Sequence, residues 1–261
     1  MSDLIYDRIK ENLTSLKMIN TLETIDNYLE HALKEKASVL EVLDYIFSQE
    51  ASYRSSKATN MRVNMAGFPF KKSLDAFDFD FQPSINKDQI LELATMRFVH
   101  NQENVVFLGP PGVGKTHLAV ALGIIAASNK FSTYYISCNK LIDSLNKAHF
   151  ENRLAQKIKS YSKYTVLIID EIGYLPMDIH GANLFFQLIA KRYENKSTIF
   201  TSNKPFSRWN EVFSDTTIAA AILDRVLHHC SVINIKGESY RLKERKEHMK
   251  KQASINTLFE K

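Results

Sequence analysis

Hydrophobic positions recur at helical spacing throughout the first 66 residues. Apolar side chains lie three or four residues apart in three successive stretches, which indicates amphipathic helices with one buried face. The first two stretches contain Leu4, Ile5, Ile9, Leu13, Leu16, Ile25, Leu29 and Leu33, and the third contains Val39, Val42, Leu43, Ile46 and Phe47. Gly67 and Pro69 then end the third helix. The pattern predicts a small all-helical N-terminal module over residues 1–66.

After residue 85, short apolar runs alternate with longer amphipathic stretches. The runs predict parallel strands at residues 104–108, 133–137, 165–169, 197–201 and 232–235. The longer stretches predict helices at residues 86–100, 116–127, 139–164 and 182–193. Alternating strands and helices favour an α/β fold in which helices cover both faces of a parallel sheet. Residues 86–261 would form this domain, and residues 67–85 would be a linker.

The predicted linker contains alternating aromatic and acidic residues. Phe77, Phe79 and Phe81 are separated by Asp78 and Asp80, which predicts an extended stretch with one buried face. The aromatic rings would either pack into the core or flank a bound base.

A glycine-rich segment joins the first strand to the next helix. It consists of Gly109, Pro110, Pro111, Gly112, Val113, Gly114, Lys115 and Thr116, which fit G-x-x-x-x-G-K-[ST], the phosphate-binding P-loop. Glycines let backbone N–H groups close around a phosphate at a helix N-terminus, where the dipole adds positive potential. Lys115 can then reach the β- and γ-phosphates, and the Thr116 hydroxyl can ligate Mg²⁺. A glycine turn with a solvated lysine is the alternative, but the strand–loop–helix context favours a nucleoside triphosphate site, in which we include His117.

Polar residues follow the third and fourth strands at the edge where the nucleotide should lie. Asp170 and Glu171 come directly after an apolar run, the pattern known as Walker B. Asp170 would hold Mg²⁺ through its water shell, and Glu171 would be the general base that polarises the attacking water. Asn203, at the end of the fourth strand, can hydrogen-bond both the γ-phosphate and that water. The acidic pair could instead mark a helix start at a strand end, and Asn203 could be a turn residue.

Composition and charge only weakly restrict the possible partners and the cellular location. A net charge of +5 and a pI near 9.0 are compatible with an anionic partner and do not require one. Cys138 and Cys230 are far apart and lack metal-ligand spacing, so reduced thiols are expected. Asp3, Asp7 and Glu11 interrupt any apolar signal segment, and the apolar run 118–127 is too short to cross a bilayer. We therefore expect a soluble cytoplasmic protein with no membrane partner.

Four blocks of sequence carry a family resemblance: residues 103–119, 167–176, 181–189 and 237–243. In these blocks the chain resembles AAA+ ATPases of the initiator and helicase-loader branch. More closely, it is similar to IstB, the ATP-dependent helper of insertion-sequence transposition and a relative of the DnaC helicase loaders. The likeness covers nearly the whole chain and is weakest over residues 1–70. Val113 stands where the family more often has threonine, at a position that contributes its backbone.

The resemblance implies roles for two arginines and a set of basic residues. Arg225 matches the arginine finger that a subunit supplies to its neighbour's ATP, and Arg241 matches the sensor 2 position, which contacts ATP in the same subunit. The branch also has a helical insertion after the second strand that grips DNA. Its counterpart here is basic and contains Lys140, Lys147, Arg153, Lys157 and Lys159. These side chains suit phosphate contact more than base recognition, although a solvated helix face would look the same.

The resemblance therefore implies an ATPase, dependent on Mg²⁺ and stimulated by DNA, that forms ATP-dependent homo-oligomers on double-stranded DNA. It would assist a cognate transposase in target selection or strand transfer, and the N-terminal module would contact that partner. A DnaC-like loader acting on a replicative helicase is the first alternative. A P-loop metabolite kinase is the second, and it would need an arginine-rich lid and an acceptor pocket.

Overall fold

The computed structural model describes residues 2–243 together with residues 245 and 249. The chain divides into two compact units, Met1–Met61 and Arg62–Lys261. Helix α3 runs through the boundary, so the predicted division at residue 66 stays a prediction. Within the described part of the chain, no helix is both long enough and apolar enough to cross a membrane.

The first unit consists of helices α1 (Ser2–Ser15) and α2 (Ile19–Lys34) and most of α3 (Val39–Met65). Leu13, Met18 and Ile25 form its buried centre. The carboxylate of Glu50, 4% exposed, accepts hydrogen bonds from the backbone N–H and the hydroxyl of Thr21 and from Nε of Arg54. Both oxygens of this buried carboxylate are therefore hydrogen-bonded, and one of them is bonded to a cation, as burial of a carboxylate requires.

The second unit contains the remaining elements. Its strands are β1 (Asn104–Leu108), β2 (Thr133–Ser137), β3 (Val166–Ile172), β4 (Ser197–Ser202) and β5 (Cys230–Asn234). Its helices are α4 (Lys87–Ala94), α5 (Arg97–His100), α6 (Lys115–Ser128), α7 (Cys138–Phe150), α8 (Leu154–Ser162), α9 (Ile179–Arg192), α10 (Trp209–Phe213) and α11 (Thr216–Leu227), with a 3₁₀ turn at Phe206–Arg208.

The strands form one parallel sheet in the order β2–β3–β4–β1–β5. One face packs against α7 to α11 through a cluster that includes Leu141, Phe185 and Trp209. The opposite face packs against α4 to α6 through a cluster that includes Ile90, Leu118 and Phe107. Both faces are thus covered by helices, as the alternation of apolar runs predicted. Because all strands are parallel, the residues that follow β1, β3 and β4 meet at one edge.

Two predicted helices are each divided in two. The helix expected at 86–100 is interrupted at Met96, which has a left-handed φ of 64°, and the one expected at 139–164 is interrupted at Asn152, with a φ of 55°. Helices α10 and α11 are not among the elements that the hydrophobic pattern predicts. The side chain of Asp215 caps α11 by accepting a hydrogen bond from the backbone N–H of Ile218. That cap is a helix-start signal in the sequence.

The linker segment is a series of turns rather than an extended strand. Phe77 is nevertheless buried, while Asp78 and Asp80 are exposed, so the alternation of buried and exposed side chains is as expected. Backbone hydrogen bonds within the segment, from Phe77 to Leu74 and from Gln82 to Phe79, form the turns.

Candidate functional site

The glycine-rich loop connects β1 to α6 and is closely packed on both sides. Gly112 and Gly114 have left-handed φ angles of 85° and 99°, which side chains rarely tolerate. A Cβ atom would lie 2.1 Å from the Ser239 hydroxyl at Gly112 and 2.5 Å from the Phe77 ring at Gly114. Neither position has room for a side chain. The loop therefore presents its backbone N–H groups at the N-terminus of α6, the arrangement that binds phosphate.

Lys115 is the first residue of α6 and is 9% exposed. Its ammonium group donates to the carbonyls of Gly109 at 2.7 Å and Pro110 at 2.8 Å, so its position beside the loop is fixed. Burial lowers the pKa of Lys115 to about 8; the carboxylates of Asp170 and Glu171 oppose that shift and Arg241 adds to it. The arrangement holds a desolvated cation where the loop can receive an anion.

The Asp170 carboxylate, 2% exposed, accepts hydrogen bonds from three hydroxyl groups. The Thr116 hydroxyl lies 3.0 Å from Oδ1 and 3.1 Å from Oδ2, the Thr201 hydroxyl donates to Oδ1, and the Tyr135 hydroxyl donates to Oδ2 at 2.6 Å. Burial, followed by the charge of Asp170, raises the pKa of the Tyr135 phenol well above its usual value. Tyr135 therefore keeps its proton. The oxygens of Thr116 and Asp170 are a donor set that suits Mg²⁺.

Glu171 and Asn203 complete the carboxyl edge of the sheet. Glu171 has a left-handed φ of 63°, at a register shift between β3 and β4, and its backbone N–H donates to the Thr201 hydroxyl at 2.9 Å. Strained backbone of this kind is held in place by its surroundings and is common at functional sites. Among the described residues, Oδ1 of Asn203 is buried without a hydrogen-bond partner. An unpaired buried amide suits a polar ligand at this point.

Lys115, Thr116, Glu171 and Asn203 line a cavity of about 400 Å³, which is large enough for a nucleotide. The glycine-rich loop and α6 contribute Gly112, Gly114, Lys115 and Thr116 to its lining, and the carboxyl edge of the sheet contributes Glu171 and Asn203. The linker segment and the C-terminal part of the described chain contribute Phe70, Lys72, Ala76, Asp78, Tyr240 and Arg241. Aromatic, acidic and basic side chains thus face the same space.

Hydrogen bonds connect the linker to residues 236–243, and residues 236–243 to the glycine-rich loop. Tyr240 donates its backbone N–H to the Gly112 carbonyl at 2.9 Å and its hydroxyl to the Asp78 carbonyl. Nε2 of Gln82 donates to the Glu238 carbonyl at 2.7 Å. Arg241, which follows Tyr240, is held at the cavity by these contacts.

The profile of the family described as IstB-like ATP binding protein matches residues 11–248. The chain belongs to this family. An ATP-binding protein of insertion sequence IS232 from Bacillus thuringiensis subsp. berliner is 48% identical over 239 residues, which cover 92% of this chain and 96% of the relative. The IS21 ATP-binding protein of Pseudomonas aeruginosa is 46% identical over 235 residues, 90% of this chain and 89% of the relative.

Solved structures share the fold of this IstB-like protein at low sequence identity. The crystal structure of DnaI aligns with a TM-score of 0.54 and 23% identity, covering 64% of this chain and 92% of DnaI. The replication initiator DnaA, bound to AMPPCP and single-stranded DNA, aligns with a TM-score of 0.55 and 19% identity, covering 71% of this chain and 56% of DnaA. The predicted α/β core, a parallel sheet with helices on both faces, is confirmed.

The structure brings most of the predicted ATP-site residues of this IstB-like protein together. Pro111, Gly112, Gly114, Lys115, Thr116, His117, Glu171, Asn203 and Arg241 line the cavity, and Asp170 lies behind Thr116. Gly109, Pro110 and Val113 belong to the same loop and are not among the lining residues. His117 faces the linker: its Nε2 is 2.9 Å from the Ser73 carbonyl. Burial lowers the pKa of His117, so the ring is neutral at pH 7 and Nε2–H can donate this bond.

Arg225 does not line the cavity. It lies on α11, where its guanidinium donates to the Ala221 carbonyl at 3.0 Å and stacks 4.8 Å from the ring centre of Phe186. Its predicted role toward the ATP of another subunit stays a prediction.

The predicted DNA-contacting residues fall on α7, α8 and the turn between them. Lys147, Arg153 and Lys157 line a shallow cleft of about 420 Å³, and Lys140 and Lys159 are exposed outside it. Glu151 forms an ion pair with Arg153 inside the cleft, which reduces the charge available for an anion.

Sequence reasoning missed the contribution of several residues to the site. Tyr135 and Thr201 bond to Asp170 from neighbouring strands, and Gln82 and Tyr240 bond segments more than 150 positions apart. The contribution of Thr201 could have been predicted, because Thr201 lies in the polar end of β4 near Asn203. The contribution of Tyr135 could not, because the sequence does not reveal the register between β2 and β3.

We expect Lys115→Ala to abolish ATP binding, because the loop would lose the buried cation that faces the phosphates. Binding of a fluorescent ATP analogue measures this. Lys130→Ala, which alters an exposed lysine beyond the end of α6, is the control and should bind normally. Tight binding by Lys115→Ala would remove the lysine from the ATP site.

Proposed function

We propose that this IstB-like protein is a Mg²⁺-dependent ATPase that assembles on double-stranded DNA and assists the transposase of an insertion sequence in target selection or strand transfer. The convergence of Lys115, the Thr116–Asp170 pair, Glu171 and Asn203 at one cavity carries the proposal. The ATP-binding relatives from insertion sequences support the transposition context.

Each residue has a chemical task in the proposed hydrolysis. Backbone N–H groups of the loop and the Lys115 ammonium bind the phosphates, and Thr116 and Asp170 would hold Mg²⁺. Bound Mg²⁺ supplies positive charge that offsets charge developing on the phosphoryl oxygens. Glu171 accepts a proton from water as the water oxygen bonds to the γ-phosphorus and the bond to the β–γ bridging oxygen breaks. Asn203 orients the water, and Arg241 faces the phosphates from the C-terminal side.

The basic cleft supports a DNA partner. Lys147 and Lys157 line the same cleft, and its described lining residues include no aromatic side chain on which a base could stack. Phosphate contact of this type is independent of sequence and weakens steeply with salt. The likeness to DnaA, which was solved with single-stranded DNA, concerns the fold alone.

The N-terminal unit is suited to a protein partner. Leu33, Val39 and Leu40 are each at least 75% exposed in a unit with a small buried centre. Exposed apolar side chains at this density mark interaction surfaces. We assign this surface to the transposase, with a replicative helicase as the alternative.

The decisive experiment measures ATP hydrolysis with and without duplex DNA. DNA should raise the rate, and it should bind more tightly when a slowly hydrolysed ATP analogue is present. Lys147→Glu combined with Lys157→Glu should weaken DNA binding and make its dependence on log salt shallower by about 2, with ATP binding unchanged.

The matched control is Lys130→Glu combined with Lys191→Glu, which makes the same charge change on exposed lysines outside the cleft. Failure of duplex DNA to bind or to change the rate would contradict the proposed function. Co-purification with a replicative helicase in place of the transposase would favour the loader, and phosphate transfer to a hydroxylated acceptor would favour a kinase.

A further inference from the structure

Tyr135 joins the Asp170 carboxylate to a strand that carries neither the P-loop nor the acidic pair. Strands β2 and β3 pair in parallel with Tyr135 opposite Ile168 and Ser137 opposite Asp170. The Tyr135 side chain must therefore extend along the sheet to reach Asp170, and its hydroxyl lies 2.6 Å from Oδ2.

The tyrosine is held firmly where it makes this bond. Its backbone N–H donates to the Ala66 carbonyl at 2.8 Å, and its ring packs against the buried cluster on the α6 face of the sheet. Tyr134, the preceding residue, points to the opposite face and stacks on Tyr164 with ring centres 4.9 Å apart. The two adjacent tyrosines therefore lie on opposite faces of the sheet, and only the Tyr135 hydroxyl bonds to Asp170.

The other donors to Asp170 have further tasks. The Thr116 hydroxyl is the expected metal ligand and is shared between both carboxylate oxygens. The Thr201 hydroxyl also accepts the backbone N–H of Glu171 and donates to Oδ1 alone. Oδ2 therefore accepts a hydrogen bond from Tyr135 and shares the Thr116 hydroxyl with Oδ1. Without the phenol, the carboxylate can rotate about its terminal torsion, which is broad for aspartate.

We propose that Tyr135 is a positioning residue for Mg²⁺: its hydroxyl holds Asp170 in the orientation in which Asp170 and Thr116 bind the cation together with ATP. The inference rests on the proposed function, in which the site takes ATP with Mg²⁺. Tyr135 acts through Asp170 and is not required to touch the nucleotide.

The test titrates Mg²⁺ into protein and a fluorescent ATP analogue that have been freed of metal with a chelator, and follows nucleotide binding. In Tyr135→Phe, the Mg²⁺ concentration at half-saturation should rise about tenfold, the effect of losing one hydrogen bond to a charged group. Binding without Mg²⁺ should be unchanged. Tyr134→Phe removes a hydroxyl from the same strand and should behave as the wild type. An unchanged midpoint in Tyr135→Phe, or an equal loss of binding with and without Mg²⁺, would overturn the inference.

A double-mutant cycle with Asp170→Asn tests whether Tyr135 acts through Asp170. Tyr135→Phe should add nothing further to the weakened Mg²⁺ dependence of Asp170→Asn, and an additive effect would contradict the positioning role. Wild-type binding that ignores Mg²⁺ altogether would instead contradict the proposed function, so the two failures are distinguishable.

Discussion

Replacing Glu171 with glutamine is expected to leave ATP binding unchanged and to slow hydrolysis by about two to four orders of magnitude. The backbone of Glu171 is held in a left-handed conformation by the bond to Thr201, and its side chain lines the cavity. Glutamine has the same shape and can make the same backbone bond, but its amide cannot accept a proton from water. Binding and turnover should therefore separate cleanly in this variant.

Single-turnover hydrolysis and equilibrium binding of ATP measure the two effects. In the proposed function, Glu171→Gln should also remain assembled on duplex DNA after ATP is added, because the assembly is dismantled only by hydrolysis. Glu103→Gln is the control: it makes the same chemical change just before β1, at the opposite end of the strands. Wild-type turnover in Glu171→Gln would show that another group accepts the proton.

The parts of the fold that the sequence predicts are those with local signals. A few consecutive residues are enough to recognise the P-loop glycines, the apolar runs of β1 to β4 and the amphipathic pattern of α9. Predicted strand ends were less accurate: β3 continues through Asp170 and Glu171 to Ile172, because a register shift lets both acids remain in the strand. The apolar run ends at Ile169, where the polar residues of the site begin, so the hydrophobic pattern cannot show that the strand continues beyond it.

The parts of the site that the sequence does not predict depend on partners distant in the chain. Gln82 and Tyr240 look like ordinary polar and aromatic residues until the fold brings the linker against residues 236–243. Met96 and Asn152 interrupt helices because their backbone is left-handed. Hydrophobic periodicity indicates which face of a helix or strand is buried, but it does not identify the side chains that this face contacts. Contacts between elements therefore required the structure.

Arg225→Ala is expected to lower hydrolysis by the assembled protein by about three orders of magnitude while leaving ATP binding by single subunits unchanged. Arg225 lies outside the residues that line the cavity, against Phe186 and the Ala221 carbonyl of its own chain. Because this guanidinium does not line the cavity of its own chain, we expect it to act at the ATP of a neighbouring copy. Turnover should therefore depend on assembly in a way that binding does not.

Mixing subunits tests this dependence directly. Lys115→Ala subunits are expected not to bind ATP but still carry Arg225, whereas Arg225→Ala subunits keep the residues that line the cavity and lack the arginine. Each variant alone should be inactive, and a mixture should recover hydrolysis, because sites form in which one subunit supplies the cavity and the other supplies the guanidinium. Arg208→Ala, which removes an arginine paired with Glu211 beside α10, should retain activity alone and serves as the control. If the mixture stays inactive although the two variants co-assemble, Arg225 does not act between subunits. The cavity would then have to obtain its charge stabilisation from Lys115 and Arg241 of its own chain, and hydrolysis would no longer report on assembly.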